Sequence, residues 1–163
     1  MVSFHSCEGD IKDYVHDLRI GPSIFCPMKN NLPEILQLPK ISDGRGNLSI
    51  VEQMKHVPFE IKRAYWIYDV PGGSKRGGHA YRENEEFIVA LSGSFDVVLH
   101  DGLKDYRFSL NRSYYGLYVP KGMWREMENF STNSLGLIVS STDFNEGDYI
   151  NDFEEFVKWR QSL

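Results

Sequence analysis

His79 and Tyr81 sit two residues apart in the stretch RGGHAYRENEEFIVALSG, residues 76–93. Neighbours at that spacing in a strand share a face, so the imidazole and the phenol point the same way and Ala80 the other. An imidazole takes and gives protons near neutral pH, and a phenol is a poor base but a good proton donor and relay. If the shared face is the interior, the two form a candidate acid/base set. Glu86 follows five residues after Tyr81, and Arg125 stands just after Pro120-Lys121-Gly122. Arginine stays protonated and only donates, so Arg125 can serve an anion or a polar oxygen but can ligate no metal.

The elements that must position these side chains are short. LSIVE, KRAYWIYDV, EFIVALSGSFDVVLHDG, YRFSL, YGLYVP and LGLIVSS are runs rich in β-branched and aromatic residues. Between them lie the turn signals DGRG, PGGSKRGG, SGS, HDG, LNRS, PKG and STNS. Strands at this spacing predict an all-β barrel or sandwich, and no helical period among them supports a parallel α/β fold. One helix is expected at the end, in YINDFEEFVKWRQSL, capped by Asp148, with Ile150, Phe153, Phe156, Val157 and Trp159 on its apolar face. Residues 1–39 form a separate arm of strands or irregular chain, because four prolines in GPSIFCPMKNNLPEILQLP exclude a long helix there. The division read from the sequence is thus an arm over 1–39, a barrel over 40–147 and a C-terminal helix over 148–163.

Composition narrows the function. Apolar residues make up 41% and charged residues 25%, enough for an ordinary core. The net charge of −5 and the lack of a long Lys/Arg cluster argue against a nucleic-acid partner. The two cysteines, Cys7 and Cys26, form no CxxC pair and read as reduced thiols. The start MVSFHSCEGDIKDYVHD lacks a basic, apolar leader, and no stretch reaches the length of a membrane span. A soluble cytoplasmic protein is expected.

The motif frame resembles the cupins. Gly73, His79-x-Tyr81, Glu86 and Gly93 follow the spacing of the first cupin motif, with tyrosine where a second histidine would stand. Pro120-x-Gly122 through Arg125 to Asn129 follows the second, with arginine at the histidine position. The resemblance implies a jelly-roll barrel, a double-stranded β-helix. A cupin metal would take three imidazoles and a carboxylate, whereas this chain offers His79 and Glu86 beside a permanent cation. No metal and no other cofactor is therefore expected.

DGRGNLSIVE, PFEIKRAYWIYDVPGGSKRGGHAY, LSGSFDVVLHDG, YYGLYVPKGMWREMENFS and NEGDYINDFEEF together resemble the sugar 3,4-ketoisomerases, the WxcM-like proteins. That resemblance implies an enzyme acting on dTDP-4-keto-6-deoxyglucose. It would move the ketone from C4 to C3 through an enediol, for deoxysugars of surface polysaccharides. Removing the C3 proton needs a base and donors for the enediolate charge. His79 is the expected base. Tyr81 departs from the family's second histidine; it fits a carrier of hydroxyl protons, a mark of changed product stereochemistry or reduced activity, or an aromatic wall. Arg45 and Arg76, beside glycine-rich turns, are candidates for the diphosphate or sugar oxygens. Arg63 and Tyr65 share a strand face and are candidate pocket residues. Trp124 is a candidate stacking surface for thymine or sugar, Glu126 for accepting hydroxyls, Arg125 for an anionic or polar group. Glu86 would orient Tyr81 or His79, or pair with Arg125. His5, His16, His56 and His100 have no such frame and receive no role. The resemblance also implies a homodimer. The competing reading is a non-catalytic nucleotide-sugar binder or partner subunit in the same biosynthesis.

Overall fold

A computed structural model describes residues 31–163. Cys7, Cys26, His5, His16 and most of the expected arm lie outside the described residues.

Twelve strands, one α-helix and a single 3-10 turn (Glu146–Asp148) make up the described fold. In chain order the first strands are β1 (Glu34–Gln37), β2 (Lys40–Asp43), β3 (Gly46–Ser49), β4 (Arg63–Ile67), β5 (Arg76–Tyr81) and β6 (Glu86–Ser92). They are followed by β7 (Phe95–His100), β8 (Asp105–Leu110), β9 (Tyr115–Val119), β10 (Trp124–Glu128), β11 (Leu135–Ser140), β12 (Tyr149–Ile150) and α1 (Phe153–Gln161). One five-stranded antiparallel sheet runs β1-β9-β6-β11-β4, and a second runs β12-β5-β10-β7-β8. Strands β2 and β3 form a separate hairpin. Two facing antiparallel sheets with strands alternating between them are the cupin jelly roll expected from the sequence. The end of the expected arm is itself part of the barrel, since β1 pairs with β9 at the edge of the first sheet.

The alternation that marked the strands places the core. Phe95, Val97 and Leu99 of β7 are buried, while Asp96, Val98 and His100 are half-buried on the other face. With Ile88, Ala90, Leu110, Leu117, Met127 and Ile138 they fill the space between the sheets. A second cluster, Leu36, Val57, Phe59, Phe87, Val89, Tyr118 and Val139, covers the outer face of the first sheet. It lies under the loop between β3 and β4. The run LSIVE only begins as a strand, for β3 ends at Ser49 and its remainder enters that loop.

The end of the chain corrects one expectation. Asp148 does not cap the helix. It is buried, and its carboxylate accepts the backbone N–H groups of Glu83 at 2.7 Å and Asn84 at 3.1 Å. Asp152 caps α1 instead, accepting from Glu155 N at 2.8 Å. Tyr149 and Ile150, read as helical, form β12 against β5. Asp148 ends a single 3-10 turn, Glu146–Asp148, and by satisfying the turn after β5 it fixes the next two residues as a strand before α1 begins. Phe156 packs against Ala80, Trp124 and Ile150, seating the helix on the outer face of the second sheet.

Candidate active site

The HAY motif enters the barrel through a bulge. Gly77 and Gly78 both hold positive φ, 87° and 78°. The β5–β10 register shifts between Arg125 and Glu126, so that Arg125 lies opposite His79 and Glu126 opposite Gly77. A Cβ on Gly77 would meet Arg125 O at 2.5 Å, so the close approach of the two strands requires glycine there. The register then aligns inward-facing residues across three strands: Arg125 beside His79, and Tyr149 of β12 beside Tyr81. Directly opposed residues in antiparallel strands bring their side chains into contact. Here the His79, Tyr81 and Tyr149 rings pack edge-on or tilted, with centroids 4.6 to 5.1 Å apart.

These residues floor a cavity of about 600 Å³, walled by Arg63, Tyr65, Lys75, Arg76, Trp66 and Phe144. The barrel floor is held by one buried charge pair. Arg125 is 3% exposed and Glu86 1%. Arg125 Nε lies 2.9 Å from Glu86 Oε2, and Glu86 Oε1 accepts from the Tyr65 hydroxyl at 2.6 Å. Breaking such a pair by removing one partner costs about 3–5 kcal/mol, because a charge is left uncompensated. Arg125 also donates to His79 Nε2 at 2.9 Å. A guanidinium offers no lone pair, so His79 Nε2 must be the acceptor and the proton sits on Nδ1. Burial foremost, and then the Arg125 charge, push the imidazole down to about 3; a backbone hydrogen bond at Gly77 acts the other way. His79 is therefore neutral at ordinary pH, not poised near 6.5. Tyr81 donates to the Tyr149 hydroxyl at 3.2 Å. Burial, with Glu86 next, holds the Tyr81 phenol far above its usual range, and burial raises Tyr65 likewise.

The sequence-predicted residues divide cleanly. His79, Tyr81, Arg63, Tyr65, Arg76 and Arg125 all line the cavity. Glu86 lies beneath it as the partner of Arg125 and Tyr65. Arg45, Trp124 and Glu126 are not brought to it. Arg45 projects from the β2–β3 hairpin, its side chain 92% exposed and paired with Asp43. Trp124 and Glu126 alternate with Arg125 and so face outward, where Trp124 packs on Phe153 and Phe156 and donates to Glu126. Trp66, Ile67, Lys75, Phe144 and Tyr149 also line the cavity and were not among the candidates read from the sequence. Lys75 stands in the glycine-rich turn, and Phe144 in a loop with no periodicity. Tyr149 stands on a two-residue strand, too short for alternation to show. Among the described residues no group of three or more His, Cys, Asp or Glu could hold a metal ion.

Residues 31–161 match the family described as FdtA: WxcM-like, C-terminal. The chain belongs to this family. It is similar to a TDP-4-oxo-6-deoxy-alpha-D-glucose-3,4-oxoisomerase of Aneurinibacillus thermoaerophilus, 37% identical over 126 residues, covering 77% of this chain and 91% of that protein. Its fold is similar to a 3,4-ketoisomerase of Helicobacter canadensis, with TM-score 0.77 and 42% identity over 79% of this chain and 97% of that one. It is also similar to a variant of the 3,4-ketoisomerase of Thermoanaerobacterium thermosaccharolyticum, solved with TDP-4-keto-6-deoxyglucose. That match has TM-score 0.78 and 27% identity over 83% of this chain and 97% of the other. The jelly roll is thus a scaffold this chain shares with solved 3,4-ketoisomerases.

Proposed function

We propose that the protein is a sugar-nucleotide 3,4-ketoisomerase. It converts dTDP-4-keto-6-deoxyglucose to a dTDP-3-keto-6-deoxyhexose through an enediol, by acid/base catalysis without a metal. Family membership and the activities named for its relatives support the reaction class and the substrate. The observation that carries the reading is the 2.9 Å contact between a neutral imidazole and a buried guanidinium on the cavity floor.

The contact suits enediol chemistry. The C3 proton is acidic because the ketone at C4 can take up the charge its loss leaves behind. A guanidinium already desolvated in the cavity stabilises that developing oxyanion without reorganising. Once Arg125 turns its N–H to the substrate oxygen, the Nε2 lone pair of His79 is free to receive the C3 proton. The same negative charge offsets Arg125, and so raises the basicity of an imidazole that the cation otherwise suppresses. The imidazolium then returns a proton at C4. A divalent ion would meet Arg125 in place of a ligand, which supports metal-free chemistry. Arg63, Lys75 and Arg76 at the mouth suit a diphosphate. Phe144 there, 70% exposed, suits a nucleobase.

Incubation with dTDP-4-keto-6-deoxyglucose in deuterated water tests the reading. Deuterium entering at C4 of the 3-keto product and at C3 of the recovered substrate, lost in His79→Asn, is the expected result. The second reading, a nucleotide-sugar binder without turnover, is favoured by one feature: both ring nitrogens of His79 are engaged in the ligand-free floor. Tight dTDP binding with no exchange in the wild type would establish that reading instead.

The homodimer implied by the resemblance fits the outer face of the first sheet. Trp66 and Leu137 pair across β4 and β11 there, with Leu91 of β6 exposed alongside and Val89 already buried beneath the loop between β3 and β4. A second copy covering this patch is the proposed assembly.

A further inference from the structure

The Tyr81–Tyr149 pair has no counterpart in a mechanism that uses His79 and Arg125 alone. Carbon-bound protons are only half of the isomerisation: the C3 hydroxyl must lose its proton, and the C4 oxygen must gain one. His79 is aimed at the first task, and Arg125 has no acceptor for the second. Two phenol oxygens 3.2 Å apart stand beside the imidazole on the same floor. That separation is comparable to the spacing of vicinal oxygens on a sugar ring.

We propose that Tyr149 completes a hydroxyl relay with Tyr81, carrying the proton from the C3 oxygen to the C4 oxygen. Either phenol can donate to the other across the 3.2 Å contact, so the relay runs in the direction the isomerisation requires. The C3 hydroxyl proton passes to the Tyr81 oxygen as the Tyr81 proton passes to Tyr149 and the Tyr149 proton to the C4 oxygen. Three O–H bonds break and three form, and both tyrosines end neutral. A concerted shuttle of this kind never ionises a phenol, and burial disfavours the Tyr81 phenolate strongly. Tyr149 is a substrate-contacting residue in this scheme, supplied from the far end of the chain by the two-residue pairing of β12 with β5. The relay rests on the ketoisomerase reading above.

Tyr149→Phe keeps the ring against His79 and Tyr81 and removes one oxygen. Its kcat is expected to fall about 10²-fold or more, with KM little changed. Deuterium exchange at C3 should fall far less than isomerisation, because His79 and Arg125 remain. In wild-type protein, the solvent isotope effect measured at graded deuterium content should bow, as several moving protons require. In Tyr149→Phe it should straighten. Tyr81→His supplies an imidazole that bridges both oxygens alone, so adding Tyr149→Phe to it should cost little further; a purely structural Tyr149 would lower both backgrounds alike. Unchanged turnover in Tyr149→Phe, or a straight isotope plot in the wild type, overturns the relay alone. A wild type that neither isomerises nor exchanges C3 brings down the ketoisomerase reading and the relay with it.

Discussion

Burial, and then the Arg125 guanidinium donating to His79 Nε2 at 2.9 Å, set how the site responds to pH. The imidazole is depressed to about 3 from an ordinary 6.5, so the folded protein leaves it neutral where the unfolded chain would protonate it. Its contribution to stability is fully present above about pH 6.5 and is lost as pH falls toward the folded value. Between pH 7 and 5 the unfolding free energy should drop by at most about 2 kcal/mol from this residue. Denaturant titrations of wild type and His79→Gln at both pH values measure it as a difference in slope. For the same reason kcat/KM should show no acid limb near pH 6.5 in a rate profile. The buried pair beneath has its own signature. Arg125→Met should destabilise by about 3–5 kcal/mol through the stranded Glu86 carboxylate. Arg125→Met with Glu86→Leu should restore much of that stability but not the activity, which separates the charge's catalytic use from its structural cost.

Strand β5 carries the site only because it is bulged. A side chain at Gly77 would collide with the Arg125 carbonyl and strain a φ of 87°. Gly77→Ala is therefore expected to displace His79 from Arg125. Activity should fall at least about 10²-fold, as misplacement of a reacting group by an ångström would require. The assay is turnover together with the unfolding midpoint. At the other end, Asp148 anchors the turn after β5 and Asp152 caps α1. Asp152→Ala should cost about 1 kcal/mol of stability with turnover unchanged, the ordinary loss of a helix cap. Asp148→Ala should lower turnover as well, since it loosens the segment that carries Tyr149. Stability and rate measured on the pair of variants distinguish the two aspartates.

At the level of the whole molecule, the jelly roll closes one cavity between sheets while leaving an apolar patch on its outer face. If a second copy covers Trp66, Leu137 and Leu91, the protein sediments as a dimer and Leu91→Arg shifts it toward monomer. A monomer at all concentrations, with the patch covered by residues 1–30 of its own chain, would refute that assembly. Among the described residues no helix is long and apolar enough to cross a membrane.

The sequence by itself determined the strand content, the jelly roll and which imidazole would line the cavity. Period-two alternation and glycine punctuation are local properties, and the motif spacing ties His79 to Glu86 and Arg125 without reference to packing. It could not place Arg45, Trp124 and Glu126, which the family resemblance and their position beside turns made candidates: a residue next to a turn has no fixed direction until the turn is folded, and a one-residue step along β10 decides between cavity and surface. It could not reveal Tyr149, because a two-residue strand carries no period and its partner lies 68 residues away. Only the tertiary structure decided the protonation of His79. A pKa follows from burial and neighbouring charge, and both arise when Arg125 is brought across the bulge to the imidazole.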